Sequence, residues 1–382
     1  MNAILICCTV LSMLAPQGDP PATGIHQLLG GPAHTGGYAT TGPAVGPGAG
    51  PLVAWRVKVK GGITVQPLLV DGVLYVATDE GWVHALDAAT GATKWKVKAA
   101  EKMIASTPAW ADGLILVTGH DKHLRAIDAA TGAARWKVET DEKALAAPTV
   151  SGGVVYFTSY DGRLRAVDVK TGKVRWTYII DEVTRERAYG GGWDTQTVEL
   201  SASPAVVSGV VYVARRNGIL AVDATRGTLL WLLEEDYGGA DAPTVVADGI
   251  LYQGTEHGLL AADAKTGKKL WRWGSKTVMA APAIHGGVAY VLDWDKELTA
   301  LDAKTSKWLW SVPLDHGQES SPVLVDGRLY VGSDCAAVAI DPTKGDRLWT
   351  FDPDAGAVRS TPVLQDGVYY GATWAGTIFA LK

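Results

Sequence analysis

A tryptophan returns about every forty residues along this 382-residue chain: Trp55, Trp95, Trp136, Trp176, Trp231, Trp271, Trp310 and Trp349. The gaps are 40, 41, 40, 55, 40, 39 and 39 residues. A unit of this size, repeated eight times, cannot bury its apolar faces alone and must stack on its neighbours. The predicted fold is therefore all-β, an eight-bladed β-propeller of four-stranded antiparallel blades.

Two further positions keep the same count. A proline recurs at Pro67, Pro108, Pro148, Pro204, Pro243, Pro282, Pro322 and Pro362, and an alanine at Ala85, Ala126, Ala166, Ala221, Ala261, Ala300, Ala339 and Ala380. Each unit divides into four strands. The first ends at a tight turn such as Asp71-Gly72 or Asp366-Gly367, where glycine accepts positive φ and aspartate tolerates it. The second is β-branched and aromatic, the third ends at the alanine, and the fourth carries the tryptophan. Between the last two lies Asp-x-x-Thr-Gly, intact in four units and drifted at Asp223–Gly227, Asp302–Ser306 and Asp341–Gly345. Such drift fits a structural turn. A tryptophan in every unit likewise reads as a packing device between sheets, so all eight are assigned to blade docking.

The ring also shows its seam. The chain finishes on a third strand, Thr377–Leu381, with no fourth, and its first good strand, around Trp55, is a fourth with no preceding three. Together they complete the last blade and remove two free sheet edges. Residues 52–382 are thus expected to form the propeller. Residues 21–51, rich in Gly and Pro, read as a loosely packed lead-in. Residues 1–20 read as a signal-like segment that is too short to span a bilayer as a helix. Export to the periplasm follows from that reading, with lipid anchoring through Cys7 or Cys8, and weak membrane association there, as alternatives. A formal net charge of −5 provides no footprint for nucleic acid. A monomeric ring is expected.

The Ala-apolar-Asp-x-x-Thr-Gly-x-x-x-Trp unit resembles the repeat of the pyrroloquinoline-quinone-like propeller family, over residues 52 to 382. In that family this tryptophan docks blade on blade. The resemblance implies two functions: a BamB-like single-ring scaffold for protein or peptide partners in the cell envelope, or a dehydrogenase of alcohols or aldoses using pyrroloquinoline quinone (PQQ) and calcium. The size of the ring is similar to the scaffold members. The family's dehydrogenases carry adjacent disulfide-bonded cysteines over the quinone, whereas here the only adjacent pair, Cys7-Cys8, lies in the head. No cofactor is expected on the first reading.

No metal-ligand spacing, phosphate-binding loop or nucleophile elbow occurs. Function is therefore expected on loops. The Asp-Gly and Asp-x-x-Thr-Gly turns share one nearly uniform face. Turns between strands two and three, together with the crossings between blades, share the other, which varies. The variable face is expected to carry Tyr160, Arg215, Arg216, His257, Trp294, Asp295 and Trp374 as ligand or partner contacts. The long fourth gap adds an insertion within residues 180–200, with Tyr189 and Trp193 as aromatic contacts beside a Gly190–Gly192 hinge. On the dehydrogenase reading, Trp294 or Trp374 would floor the quinone and Arg215 or Arg216 would face its oxygens.

Overall fold

The computed structural model describes residues 24–25, 31, 34, 37–38, 40–43, 50–180, 200–235, 242–314, 320–333, 335–354 and 356–382. The signal-like segment and the insertion with Tyr189 and Trp193 lie outside them. Eight four-stranded antiparallel blades form the ring, as the repeat requires. Blade 1 comprises Leu68–Val70, Val73–Ala77, Trp82–Asp87 and Thr93–Lys98. Blades 2 to 7 repeat this order. Blade 8 consists of Val363–Gln365, Val368–Ala372 and Thr377–Leu381, and takes Val53–Lys58 as its outer strand. Leu52 and Lys382 exchange backbone hydrogen bonds of 2.8 and 2.9 Å at this seam.

The tryptophans dock as expected, by a geometry that explains the glycine of each turn. Trp55, Trp95, Trp136, Trp176, Trp231 and Trp310 each donate their indole N–H to a carbonyl just after the turn aspartate of the next blade, at 2.9–3.1 Å. The turn glycine lies flat on that indole. A Cβ added at Gly91, Gly132, Gly172, Gly227, Gly267 or Gly345 would come within 2.5–2.8 Å of the ring. In blade 6 Ser306 stands in the glycine position at φ 58°, so a real Cβ sits at that joint. There the indole N–H of Trp271 is buried and finds no acceptor among the described residues.

The joint between blades 7 and 8 is the other departure. Blade 8 borrows its outer strand and presents no Asp-x-x-Thr-Gly turn to Trp349. Aromatic packing fills the space: Tyr330, Trp349 and Tyr369 lie within 6.1 Å of one another, and Tyr369 stacks on Phe379. The Trp349 N–H and the Tyr369 hydroxyl are buried without hydrogen-bond partners among the described residues. Burial holds the Tyr369 phenol far above its ordinary pKa.

A belt of hydroxyls ties the inner strands together. Thr107, Ser203, Ser321 and Thr361 accept the backbone N–H of Gln66, Ala147, Ala281 and Ser321 in the preceding blades. The Gln66 amide closes the belt on the carbonyl of Pro362.

The described parts of the lead-in are not loose. Gly24–Ile25 pairs with the inner strand of blade 1, and Gly37–Tyr38 with that of blade 7. Between them His34 bridges the Thr244 carbonyl of blade 5, at 3.0 Å, and the Thr149 hydroxyl of blade 3, at 3.3 Å. The described residues of the lead-in thus touch the inner side of blades 1, 3, 5 and 7. Gly42 then packs on the Tyr330 hydroxyl, and the Thr41 carbonyl accepts Gly367 N–H at 3.0 Å. These contacts belong to the described residues of the lead-in, among which His34 is buried.

Candidate functional site

The variable face is built from two kinds of turn. In blades 1, 2, 3, 6 and 8 three residues lie between the last backbone-bonded pair of strands two and three, and the last of the three is left-handed: Gly81, Lys122, Gly162, Lys296 and Gly376, at φ 65–83°. Such a loop is a standard hairpin connection. The first residue is pinned by its backbone N–H to the crossing that enters its own blade. Asp79 bonds Gly62, His120 bonds Met103, Tyr160 bonds Lys143, Trp294 bonds Thr277 and Trp374 bonds Ala357, all at 2.8–3.0 Å. One backbone frame therefore displays four kinds of side chain at five places: Asp79, His120, Tyr160, Trp294 and Trp374.

Blades 4 and 5 use two-residue turns, Arg216-Asn217 and Glu256-His257. This corrects the expectation that Arg215 stands in the same place as Tyr160 and Trp294. Arg215 ends a strand and is 6% exposed. Its guanidinium lies 3.8 Å from Glu234 on the outer strand of its own blade, away from the ring axis. Arg216 and His257 are exposed turn residues.

The two turn tryptophans are the large apolar groups presented at this frame. Trp294 is 46% exposed and Trp374 49%. Arg359 from the neighbouring crossing lies 4.4 Å over the Trp374 ring. Beside Trp294, Asp295 pairs with Lys276 at 2.7 Å, and that bond raises the lysine pKa. Tyr160 carries Lys143 at 4.4 Å over its ring but is 8% exposed, so it serves as a buried support for the lysine, not as the free contact expected. His120 is held below its ordinary pKa, first by burial and then by Lys143 and Lys102.

Beneath this face blades 2 and 3 carry buried ion pairs that the sequence reading missed. Arg165 bonds Asp161 and Ser159 at 2.5–3.1 Å, with Asp161 3% exposed. Burial pushes the Asp161 carboxyl up, but Arg165 and Ser159 outweigh it and leave its pKa lowered. Asp121 and Arg125 repeat the arrangement at 2.8 Å. The signal was available in the alternation of Arg125 and Arg165 with the core residues Leu124, Ala126, Leu164 and Ala166.

The residues do not fit the quinone site. Trp294 and Trp374 stand half-exposed on turns instead of flooring a cavity, and Arg215 points to Glu234. No group of three or more His, Cys, Asp or Glu residues is placed to hold a metal ion among the described residues. Cys335 is free and exposed. A pocket of about 370 Å³ lies elsewhere, on the uniform face at the joint of blades 8 and 1, lined by Trp55, Tyr370, Asp71, Asp87 and Asp366. Ala54, among its lining residues, takes the place held by Lys94, Arg135 and Arg175 in blades 1–3 and by leucine in blades 4–7.

Comparison with known proteins agrees with this architecture. BamB from Moraxella catarrhalis superposes with a TM-score of 0.72, at 19% identity over 87% of this chain and 99% of that one. The quinohemoprotein alcohol dehydrogenase ADHIIG from Pseudomonas putida HK5 superposes at 0.76, with 17% identity over 94% and 80%. At such identities both establish the fold alone. An outer membrane protein assembly factor BamB from Moranella endobia is 40% identical over 60 residues, 15% of this chain and 16% of that protein. Quinohemoprotein alcohol dehydrogenase from Comamonas testosteroni is 33% identical over 98 residues. The chain spans about 14% of the length of the first curated relatives it matches. The sequence profile described as outer membrane protein assembly factor BamB matches residues 44–273 and 256–382, which together cover the whole ring, and the chain belongs to that family.

Proposed function

We propose that this protein is a non-catalytic, exported propeller scaffold that binds a protein or peptide partner in the cell envelope through its variable face. The observation that carries the reading is the pair of half-exposed tryptophans, Trp294 and Trp374, held on identical backbone frames two blades apart. A buried ring needs no such display. Tryptophan with a neighbouring cation is the side-chain chemistry of interface anchors, because it offers a large rigid surface at small entropic cost. The name of its family, an outer membrane protein assembly factor, supports an envelope partner at the periplasmic side of the outer membrane.

The test is recovery of envelope proteins on the purified ring, comparing wild type with the Trp294→Ala/Trp374→Ala variant. Loss of a specific partner from the variant, with the ring still folded, is the expected result. The same partner on both would overturn the assignment of this face. The dehydrogenase reading is tested separately by calorimetry with PQQ and calcium, and by reduction of an artificial acceptor with alcohols or aldoses. Stoichiometric binding with turnover would replace the scaffold reading.

A further inference from the structure

The pocket on the uniform face belongs to a joint whose residues depart from the repeat. Beside the docking tryptophan the other blades carry a long side chain, whereas blade 8 carries Ala54, which lines the pocket. Lys382, another lining residue, stands where the other blades have the turn aspartate. The first strand ends on Val70, Ala111, Ser151, Val207, Ala247, His285 or Val325 in blades 1–7, but on Gln365 in blade 8. The Gln365 amide donates to Asp366 at 3.2 Å, and its Oε1 is buried with no hydrogen-bond partner among the described residues. Tyr75, Tyr156, Tyr252 and Tyr290 donate their hydroxyls, at 3.0–3.4 Å, to the carbonyl just after the next blade's turn aspartate. At this joint that carbonyl, of Ala88, accepts Trp55, and the Tyr370 hydroxyl makes no such bond among the described residues. Burial raises the Tyr370 pKa, and the carboxylates of Asp366 and Asp87 raise it further.

We propose that this pocket binds an organic cation, an alkylammonium or guanidinium group, between the Asp-Gly turns of blades 8 and 1. Asp366 lines it from blade 8, Asp71 and Asp87 line it from blade 1, and Trp55 and Tyr370 give it aromatic walls. Carboxylates beside aromatic faces are the surroundings that hold such cations, by charge-assisted hydrogen bonds and by attraction to the ring. The Gln365 oxygen and the Tyr370 hydroxyl are acceptors for further N–H groups. Of the lining lysines, Lys94 lies 3.4 Å from Asp87, which leaves Asp71 and Asp366 against Lys382. A volume of about 370 Å³ is at the small end for ligand pockets and suits one charged group with its alkyl stem. The site lies on the face opposite Trp294 and Trp374 and does not rest on the partner reading.

The experiment is an NMR titration of the full chain, read at the indole N–H of Trp55, with butylamine, butylguanidine and the capped tripeptide acetyl-Gly-Arg-Gly-amide. Saturation is expected at a Kd of about 0.1–1 mM for at least one probe. Added salt is expected to weaken it by screening the carboxylates. Ala54→Arg, which fills the pocket with a side chain of the blade's own, is expected to abolish binding. Asp366→Asn retains a residue that tolerates the turn's φ of 51° and is expected to weaken binding about tenfold. If Ala54→Arg fails to fold by circular dichroism, Asp366→Asn decides alone. A tripeptide that binds at least as tightly as butylguanidine assigns the pocket to a basic side chain of another protein, and a weaker one assigns it to a free small cation. Absence of saturation with every probe, or a folded variant that binds as the wild type does, overturns the proposal.

Discussion

Blades 1–3 and blades 4–7 share one backbone and carry different chemistry on it. At the bulged residue before each docking tryptophan, blades 1–3 place Lys94, Arg135 and Arg175, which reach their own turn aspartates Asp87, Asp128 and Asp168 at 3.4, 2.6 and 2.7 Å. Blades 4–7 place Leu230, Leu270, Leu309 and Leu348 there. On the third strand, the position of His84, Arg125 and Arg165 becomes Leu220, Leu260, Thr299 and Val338. The turns nevertheless keep their shape in both halves. Their aspartates are held below the ordinary carboxylate value in every case, chiefly by Arg135 and Arg175 at Asp128 and Asp168, and by turn threonines at Asp87, Asp263, Asp302 and Asp341. The basic side chains are thus additions to a turn that threonine and backbone N–H groups already satisfy. The two halves differ in what they show to solvent and in what they bury, while the scaffold stays the same.

The sharpest way to probe that statement is to remove one docking tryptophan from each half. Trp136→Ala deletes a large, partly buried ring and its bond to Val169, and is expected to cost about 3 kcal/mol, the low end for truncation of such a ring. Trp271→Ala deletes a similar ring whose N–H has no acceptor, and is expected to cost roughly 1 kcal/mol less. Urea denaturation of both variants measures the difference, and equal losses would remove the role given to Ser306.

Arg165→Leu copies the apolar half into the basic half. It removes the principal partner of the buried Asp161 carboxylate, leaving Ser159 and, at 3.6 Å, Arg163, with an expected cost of about 1–3 kcal/mol at neutral pH. Protonation of that carboxylate should narrow the gap in acid. Thermal unfolding against pH reads both effects, and a neutral substitution would show that the pair is dispensable.

His34 spans the two halves, and it is buried with its pKa lowered to about 4, by desolvation against a weaker opposing effect of the Thr244 carbonyl. The unfolded imidazole titrates near 6.5, so protons favour the undocked chain between these values. The contribution of His34 to stability is whole above pH 6.5 and declines as pH falls to about 4, by at most ~3 kcal/mol. Limited proteolysis of the lead-in across this range is expected to accelerate in acid for the wild type. His84, also lowered to about 4 by burial and then by Lys96, adds a separate titration in the third strand of blade 1, and the His84→Gln variant is expected to keep the acid acceleration of lead-in cleavage. The smallest effect is expected at Arg135→Leu. This exposed pair should leave the unfolding midpoint within error while Asp128, followed by NMR, titrates closer to its ordinary value.

Blade number, the seam at Trp55 and the division into a uniform and a variable face were all legible in the sequence, because each rests on a short local pattern repeated eight times. The site was legible only in part. Trp294 and Trp374 stand exposed on turns of the variable face, where the repeat places them and where turn chemistry gives no reason for tryptophan. Arg215 was misplaced, since one residue of turn length decides whether it lies in the loop or in the strand, and Arg-Arg-Asn-Gly allows either. His34 was missed entirely. Its partners Thr149 and Thr244 are remote in sequence, and no local rule makes Gly-Pro-Ala-His-Thr-Gly-Gly an inner-strand contact.

The seam has a consequence for how the molecule is made. Val53–Lys58 leaves the ribosome before any blade, while its pairing partner Thr377–Leu381 is synthesised after every other one. Through most of translation the strand is an orphan edge in a crowd of nascent β-structure, the situation in which intermolecular pairing begins. Arg56 and Lys58, followed by Lys60, give it the charges that discourage a wrong partner. In the finished ring these residues look like ordinary surface decoration. Their value lies in the interval before closure, when the strand must wait without aggregating.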